Sequence, residues 1–203
     1  MTEIRPATAR LRTDQPGITT WHAFSAGPHY DPGNIAFGPI VGCDEHLLEP
    51  SAGFDWHGHR GVVIVSWVLA GTLRHEDSTG KVRLVPPGVA LVQSTGDGIR
   101  HAETNASGRD PLHFVQTTVL SEAPPSVVSA QPPLLVGGTR VDAGGAGAVA
   151  ARSHVFVTRG EFSLDGGDLV RPGDTVRVGD DRAVLDGAGE LLVITPDVLL
   201  SKA

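Results

Sequence analysis

The stretch Phe54-Asp55-Trp56-His57-Gly58-His59-Arg60-Gly61 runs directly into Val62-Val63-Ile64-Val65-Ser66-Trp67-Val68-Leu69-Ala70-Gly71-Thr72. β-Branched residues crowd the second part and a glycine closes it, which reads as a buried strand ending in a turn. This apolar run, with Ser66 inside it, is the longest in the chain. A membrane helix needs ~20 such residues. In the first part, His57 and His59 stand two apart, and residues two apart on a strand point to one face.

Outward from this stretch, apolar segments recur at residues 38–41, 46–48, 82–85, 89–92 and 112–120. They are separated by turn sequences such as Asp77-Ser78-Thr79-Gly80, Pro86-Pro87-Gly88 and Thr95-Gly96-Asp97-Gly98. That rhythm is the mark of a β-sandwich or barrel. Composition agrees: the 203 residues include 26 Gly and 15 Pro, about a fifth of the chain against ~12% in average usage. With 40% hydrophobic residues there is still enough material for a core. A helical bundle is excluded, because Gly and Pro weaken helix interiors.

Residues 1–20 read as a polar lead-in. Residues 121–153 depart from the rhythm, with Pro124-Pro125, Pro132-Pro133 and the low-complexity Ala143-Gly144-Gly145-Ala146-Gly147-Ala148. They read as a connector holding one strand at 134–136. From His154 the rhythm returns as a weaker echo of the first half. The expected organisation is a metal-binding lobe at 1–122, a linker at 123–152 and a second lobe at 153–203.

A net charge of −7 argues against a nucleic-acid partner, which would need concentrated Lys and Arg. The single Cys43 excludes an intrachain disulfide framework and any cysteine-based zinc cluster. Residues 1–14 carry no apolar signal-peptide core. These features together predict a cytoplasmic protein that engages no membrane.

Nine histidines are many for a chain with one Tyr and one Met. The sharpest pattern is His57-Gly58-His59 and, 41 intervening residues later, His101-Ala102-Glu103. Each pair aims two groups at one side of a sheet. Were the two strands to face one site, three imidazoles and a carboxylate would converge on a divalent metal: Fe, Mn, Ni, Cu or Zn. His22, His29, His46, His113 and His154 are isolated and read as loop or core residues, and His75 reads as solvated before a hairpin turn. No GxSxG, phosphate-binding loop or dinucleotide fingerprint is present.

These residues resemble the pirin family of the cupin superfamily. Pro86-x-Gly88 with His101-x-x-x-Asn105 resembles the second cupin motif, and His57-x-His59 the first. The resemblance extends over 54–61, the hairpin containing Leu69-Ala70-Gly71-Thr72 and His75-Glu76-Asp77-Ser78, and 98–105. It also takes in Trp21-His22-Ala23-Phe24-Ser25 and Tyr30-Asp31-Pro32, so it runs from about residue 21 to 119.

The resemblance implies an all-β bicupin, two β-barrel or jelly-roll lobes with the second shortened, and one metal in the first lobe held by His57, His59, His101 and Glu103. Fe(II) is the favoured metal, with Zn, Mn, Ni, Cu or Co able to substitute. It further implies a quercetin 2,3-dioxygenase-like activity on a flavonol or other phenolic substrate with O2, Glu103 also serving as catalytic base. The alternative is a non-catalytic metal-binding regulator acting through a protein partner; another small-molecule chemistry such as isomerisation is a third reading. Two departures stand out. Pirins usually carry Pro where this chain has Gly58, and commonly Glu where it has Val63. Position 63 shares the parity of 57 and 59, so a regular strand would turn it toward the metal.

Overall fold

The computed structural model describes residues 1–196; residues 197–203, the end of the expected second lobe, lie outside the described residues. Strand takes 60% of the chain and helix 2%, so the protein is all-β, as its turn-rich sequence requires. In chain order the first strands are β1 (Glu3–Arg5), β2 (Leu11–Gln15), β3 (Ile18–His22), β4 (Ile40–Leu48), β5 (Gly53–His59) and β6 (Val62–Ala70). Next come β7 (Leu73–Asp77), β8 (Val82–Val85), β9 (Ala90–Ser94), β10 (Ile99–Asn105), β11 (Leu112–Leu120) and β12 (Ser126–Ala130). The last are β13 (Leu134–Val136), β14 (Thr139–Gly144), β15 (Gly147–Val149), β16 (His154–Leu164), β17 (Leu169–Val170), β18 (Thr175–Arg177) and β19 (Ala183–Pro196).

These strands form three sheets. A seven-stranded sheet runs β12-β9-β6-β11-β4-β3-β2, and a four-stranded sheet runs β5-β10-β7-β8. An eight-stranded sheet follows the order β1-β18-β16-β19-β14-β13, with β15 on β19 and β17 on β16. The polar lead-in is thus not irregular. Its first strand crosses to the eight-stranded sheet, while β2 and β3 extend the seven-stranded one. Residues 123–152, expected as a linker with one strand, carry four. The run from Ala143 to Ala148 spans the bend between β14 and β15, which follow one another along the same edge of β19. Small residues disguise an interrupted edge strand as a connector.

The seven-stranded sheet lies in the middle. One face packs on the four-stranded sheet through Ile18, Leu48, Val68, Leu73, Val85, Leu91, Leu112 and Phe114. The other packs on the eight-stranded sheet through Val63, Val65, Trp67, Val92 and Val115, met by Val141, Phe156, Leu192 and Ile194. This explains the unbroken apolar run of β6: Val62 to Val68 are all buried because both faces of the strand are covered. The single interior hydroxyl, Ser66, therefore calls for a partner. No helix among the described residues is long and apolar enough to cross a membrane.

Between the two larger sheets His154 is fully buried, its ring 5.5 Å from that of Phe24, with neither nitrogen hydrogen-bonded. Beside it on β18, Arg177 lies over Phe24 at 4.3 Å. Burial, with the neighbouring guanidinium, pushes the His154 pKa down to about 3. Its folded-state pKa is below the unfolded value, so between these values the unfolded chain binds the extra proton. Stability therefore falls as pH drops from about 6.5 toward 3, by ~1.4 kcal/mol per pH unit for one such group. Urea unfolding at pH 7, 6 and 5 should show this decline, and His154→Leu should reduce its slope by about one proton.

Candidate metal centre

The site is assembled by the register of β10 with its two neighbours. On one side His101 pairs with His57 and Ile99 with His59. On the other His101 pairs with Asp77 and Glu103 with His75. The ladder between β10 and β5 shifts by one residue, since Glu103 stands opposite Phe54. Such a bulge turns the following side chains to the other face. Phe54 and His57, of opposite parity, thus both reach the interior, while Asp55 and Trp56 remain exposed.

Ligand atoms of His57, His59 and His101 lie within 4.8 Å of one another, and those of His75, His101 and Glu103 form a second such group. All four residues expected from the sequence therefore lie around His101, which belongs to both groups. Nε2 of His57 and Nε2 of His101 are 2.9 Å apart. His57 Nδ1 is 2.7 Å from the carbonyl oxygen of Asp55, to which it donates, leaving its Nε2 with a free lone pair. His59 Nε2 and His101 Nδ1 are buried without partners. Burial lowers the His101 pKa to about 4 despite the nearby Glu103, and lowers that of His59, helped there by His57. Both are neutral at pH 7, the form that can bind a cation.

Glu103 is 1% exposed and accepts from two donors of the facing sheet: Gln116 Nε2 at 2.9 Å on Oε2, and Ser66 Oγ at 3.3 Å on Oε1. Gln116 and Ser66 are direct neighbours across β11 and β6. Burial alone would raise the Glu103 pKa, but His75, His101 and the Gln116 donor outweigh it and bring it to about 2. The carboxylate is ionised at neutral pH. Imidazole and carboxylate together suit a divalent transition metal, and the partnerless buried Nε2 of His59 beside the facing Nε2 atoms of His57 and His101 fits one. Cys43 lies in the core between the larger sheets, where burial pushes its thiol up to about 12, so it contributes no thiolate.

An open cavity of about 380 Å³ reaches His59, bounded by Arg60, Asp97 and Arg100. The remaining histidines stand apart: His22 pairs with Asp44 at 2.8 Å, His113 with Glu45 at 2.7 Å, and His29 with the Arg12 carbonyl at 2.9 Å. His46 is held by Thr20 at 2.8 Å and packs on Phe54 and Phe114.

Two sequence expectations need correction. His75 is not solvated but fully buried, 3.8 Å from Glu103. The β7 alternation of buried Leu73, His75 and Asp77 with partly exposed Arg74 and Glu76 was the signal for it. Val63 does not face the metal. Arg60 and Gly61 break the strand, Gly61 with φ of 66°, so parity does not carry from His59 to Val63. Val63 instead packs in the core toward the eight-stranded sheet. Ser66 and Gln116 were not foreseen, because a lone Ser or Gln carries no spacing signal.

The pirin family profile matches residues 5–119. The chain belongs to the pirin family. Proteins of Mycobacterium tuberculosis and Mycobacterium bovis named "Putative quercetin 2,3-dioxygenase" are 35% identical to it, over 88% of this chain and 86% of theirs. The quercetin 2,3-dioxygenase of Escherichia coli K12 is 34% identical over 60% of this pirin and 53% of its own length. Among solved structures, the bacterial pirin YhhW of E. coli in complex with nickel(II) superposes with a TM-score of 0.86. It covers 98% of this chain and 100% of its own, at 24% identity.

Because Val63 lies under the turn at Gly137, where an added Cβ would meet it at 2.7 Å, a carboxylate there has no water and no metal to meet. Val63→Glu should cost about 3 kcal/mol or more, read as a fall in Tm, without strengthening metal binding.

Proposed function

We propose that this pirin is a metal-dependent dioxygenase that opens the ring of quercetin or a similar flavonol, with His57, His59, His101 and Glu103 holding one divalent metal. The observation that carries the reading is the convergence of three imidazoles, two of them held neutral, beside an ionised carboxylate. The names of the mycobacterial and E. coli relatives support the reaction, and the nickel complex of YhhW supports a metal. Fe(II) is favoured, and Ni, Mn, Co, Cu or Zn would be accepted by the same donors.

His57, His59, His101 and Glu103 would hold the metal through three imidazole nitrogens and one carboxylate. When bound, the metal supplies Lewis acidity that lowers the pKa of a substrate hydroxyl and holds it in place. Glu103 suits a ligand better than a base, since a carboxylate with a pKa near 2 takes up protons poorly at pH 7. Ser66 and Gln116 hold it in place, and His57 is oriented by the Asp55 carbonyl.

The substrate would arrive from the side of β5, where His59 is half-buried and lines an open surface cleft beside Arg60 and Arg100. The N-terminal half, residues 1–122, would carry the chemistry. A single buried thiol suits the reducing conditions of the cytoplasm.

Anaerobic loading with Fe(II), followed by quercetin and air, should consume the flavonol absorbance with matching O2 uptake. His101→Ala should abolish both metal retention and turnover. Unchanged absorbance with metal verified in the protein would overturn the dioxygenase reading.

A further inference from the structure

Resting on the metal centre proposed above, we infer that His75 is a fifth working residue of it, a positioning residue that acts through Glu103. Its setting is costly for an imidazole. It is fully buried, and neither ring nitrogen has a hydrogen-bond partner. Orphaned buried polar atoms destabilise a fold, and an apolar side chain such as that of Leu73, two residues away on the same face, would fill the space without that cost. A histidine there has a use that packing does not supply.

The register says what that use is. His75 is the direct cross-strand neighbour of Glu103, on the side of β10 opposite β5. Its Nδ1 lies 3.8 Å from Glu103 Oε1, and its ring stands 5.2 Å from His101 at 75°. Of the two carboxylate oxygens, Oε2 is held at 2.9 Å by Gln116, whereas Oε1 has only the longer 3.3 Å bond from Ser66. A shift of about 1 Å brings Nδ1–H of His75 into hydrogen-bond range of the less restrained oxygen. The carboxylate is then fixed from two directions, by β7 within its own sheet and by β6 and β11 across the interior. His75 itself is badly placed to join His57 and His59. The strand spacing of ~4.8 Å sets β7 about two spacings, ~9.6 Å, from β5. It orients a ligand instead of being one.

The test compares wild-type protein with His75→Phe, His75→Ala and His75→Asn, the last keeping an N–H close to the position of Nδ1. The readouts are Co(II) affinity by chelator competition, the visible spectrum of bound Co(II), and Tm of the metal-free protein. Loss of a hydrogen bond to a ligand typically costs 10–100-fold in metal affinity. His75→Phe and His75→Ala should show that loss with an altered Co(II) spectrum. His75→Asn should recover most of the affinity. Metal-free His75→Phe should melt no lower than wild type, because the orphaned ring is gone. Affinity within twofold of wild type and an unchanged spectrum, in either His75→Phe or His75→Ala, would overturn the role. So would an affinity loss that tracks a lowered metal-free Tm and is not rescued by His75→Asn. Wild-type protein that takes up no Co(II) defeats the metal centre itself, and the role with it, before any variant is compared.

Discussion

Everything at the site depends on how β10 is paired. With β5 on one side and β7 on the other, its inward residues His101 and Glu103 meet His57, Phe54, Asp77 and His75. A slip of one residue would send all of them to the outer face, because side chains alternate along a strand. The register is held at one end by apolar packing: Leu73 of β7 lies opposite Asn105, and both Leu73 and Phe54 pack into the core shared with the central sheet. Asn105 adds a polar lock, donating to the carbonyl oxygens of Leu48, Glu49 and Asp110. The bulge reconciles two demands on β5. Phe54 must enter the core and His57 must enter the site, which an unbroken alternation would forbid.

The second requirement is electrostatic. An ionised carboxylate between two packed sheets is costly unless its oxygens are occupied by donors or cations. The central sheet supplies the donors at one place, where Ser66 and Gln116 are paired in register and bonded to each other at 2.9 Å. Ser66 thereby accounts for the one polar residue in an otherwise apolar strand. Its inward parity is shared by Ile64 and Val68, while Val63, Val65 and Trp67 serve the opposite interface. One strand thus builds two cores and still donates a hydrogen bond to Glu103.

The parity of His57 with His59 and of His101 with Glu103 was legible in the sequence, since each pair lies within one strand. The alternation of strands and turns was legible for the same reason, being local. What failed was non-local or crossed a break. Val63 was misplaced because the turn at Arg60 and Gly61 resets the alternation. By sequence His75 reads as a surface residue, because its neighbours Arg74, Glu76 and the following turn are polar; only the pairing of β7 with β10 buries it. Of the strands within 123–152 only 134–136 is legible; the flanking Pro pairs and the Gly-Ala run mask β12, β14 and β15, and it is pairing with β9 and β19 that makes them strands.

The two strands that supply the histidine cluster sit differently in their sheet. β10 is an inner strand, and its His101 and Glu103 are each 1% exposed. β5 is an edge strand, and its His57 and His59 are only half-buried. The cluster therefore has a dry side, where the charge of Glu103 is felt strongly, and a wetter side at His57 and His59. Two ligand strands of the same burial would give either a sealed structural site or a fully wet one. The asymmetry instead leaves one side of the histidine cluster accessible while packing fixes the opposite side, the arrangement that a reactive metal centre would require.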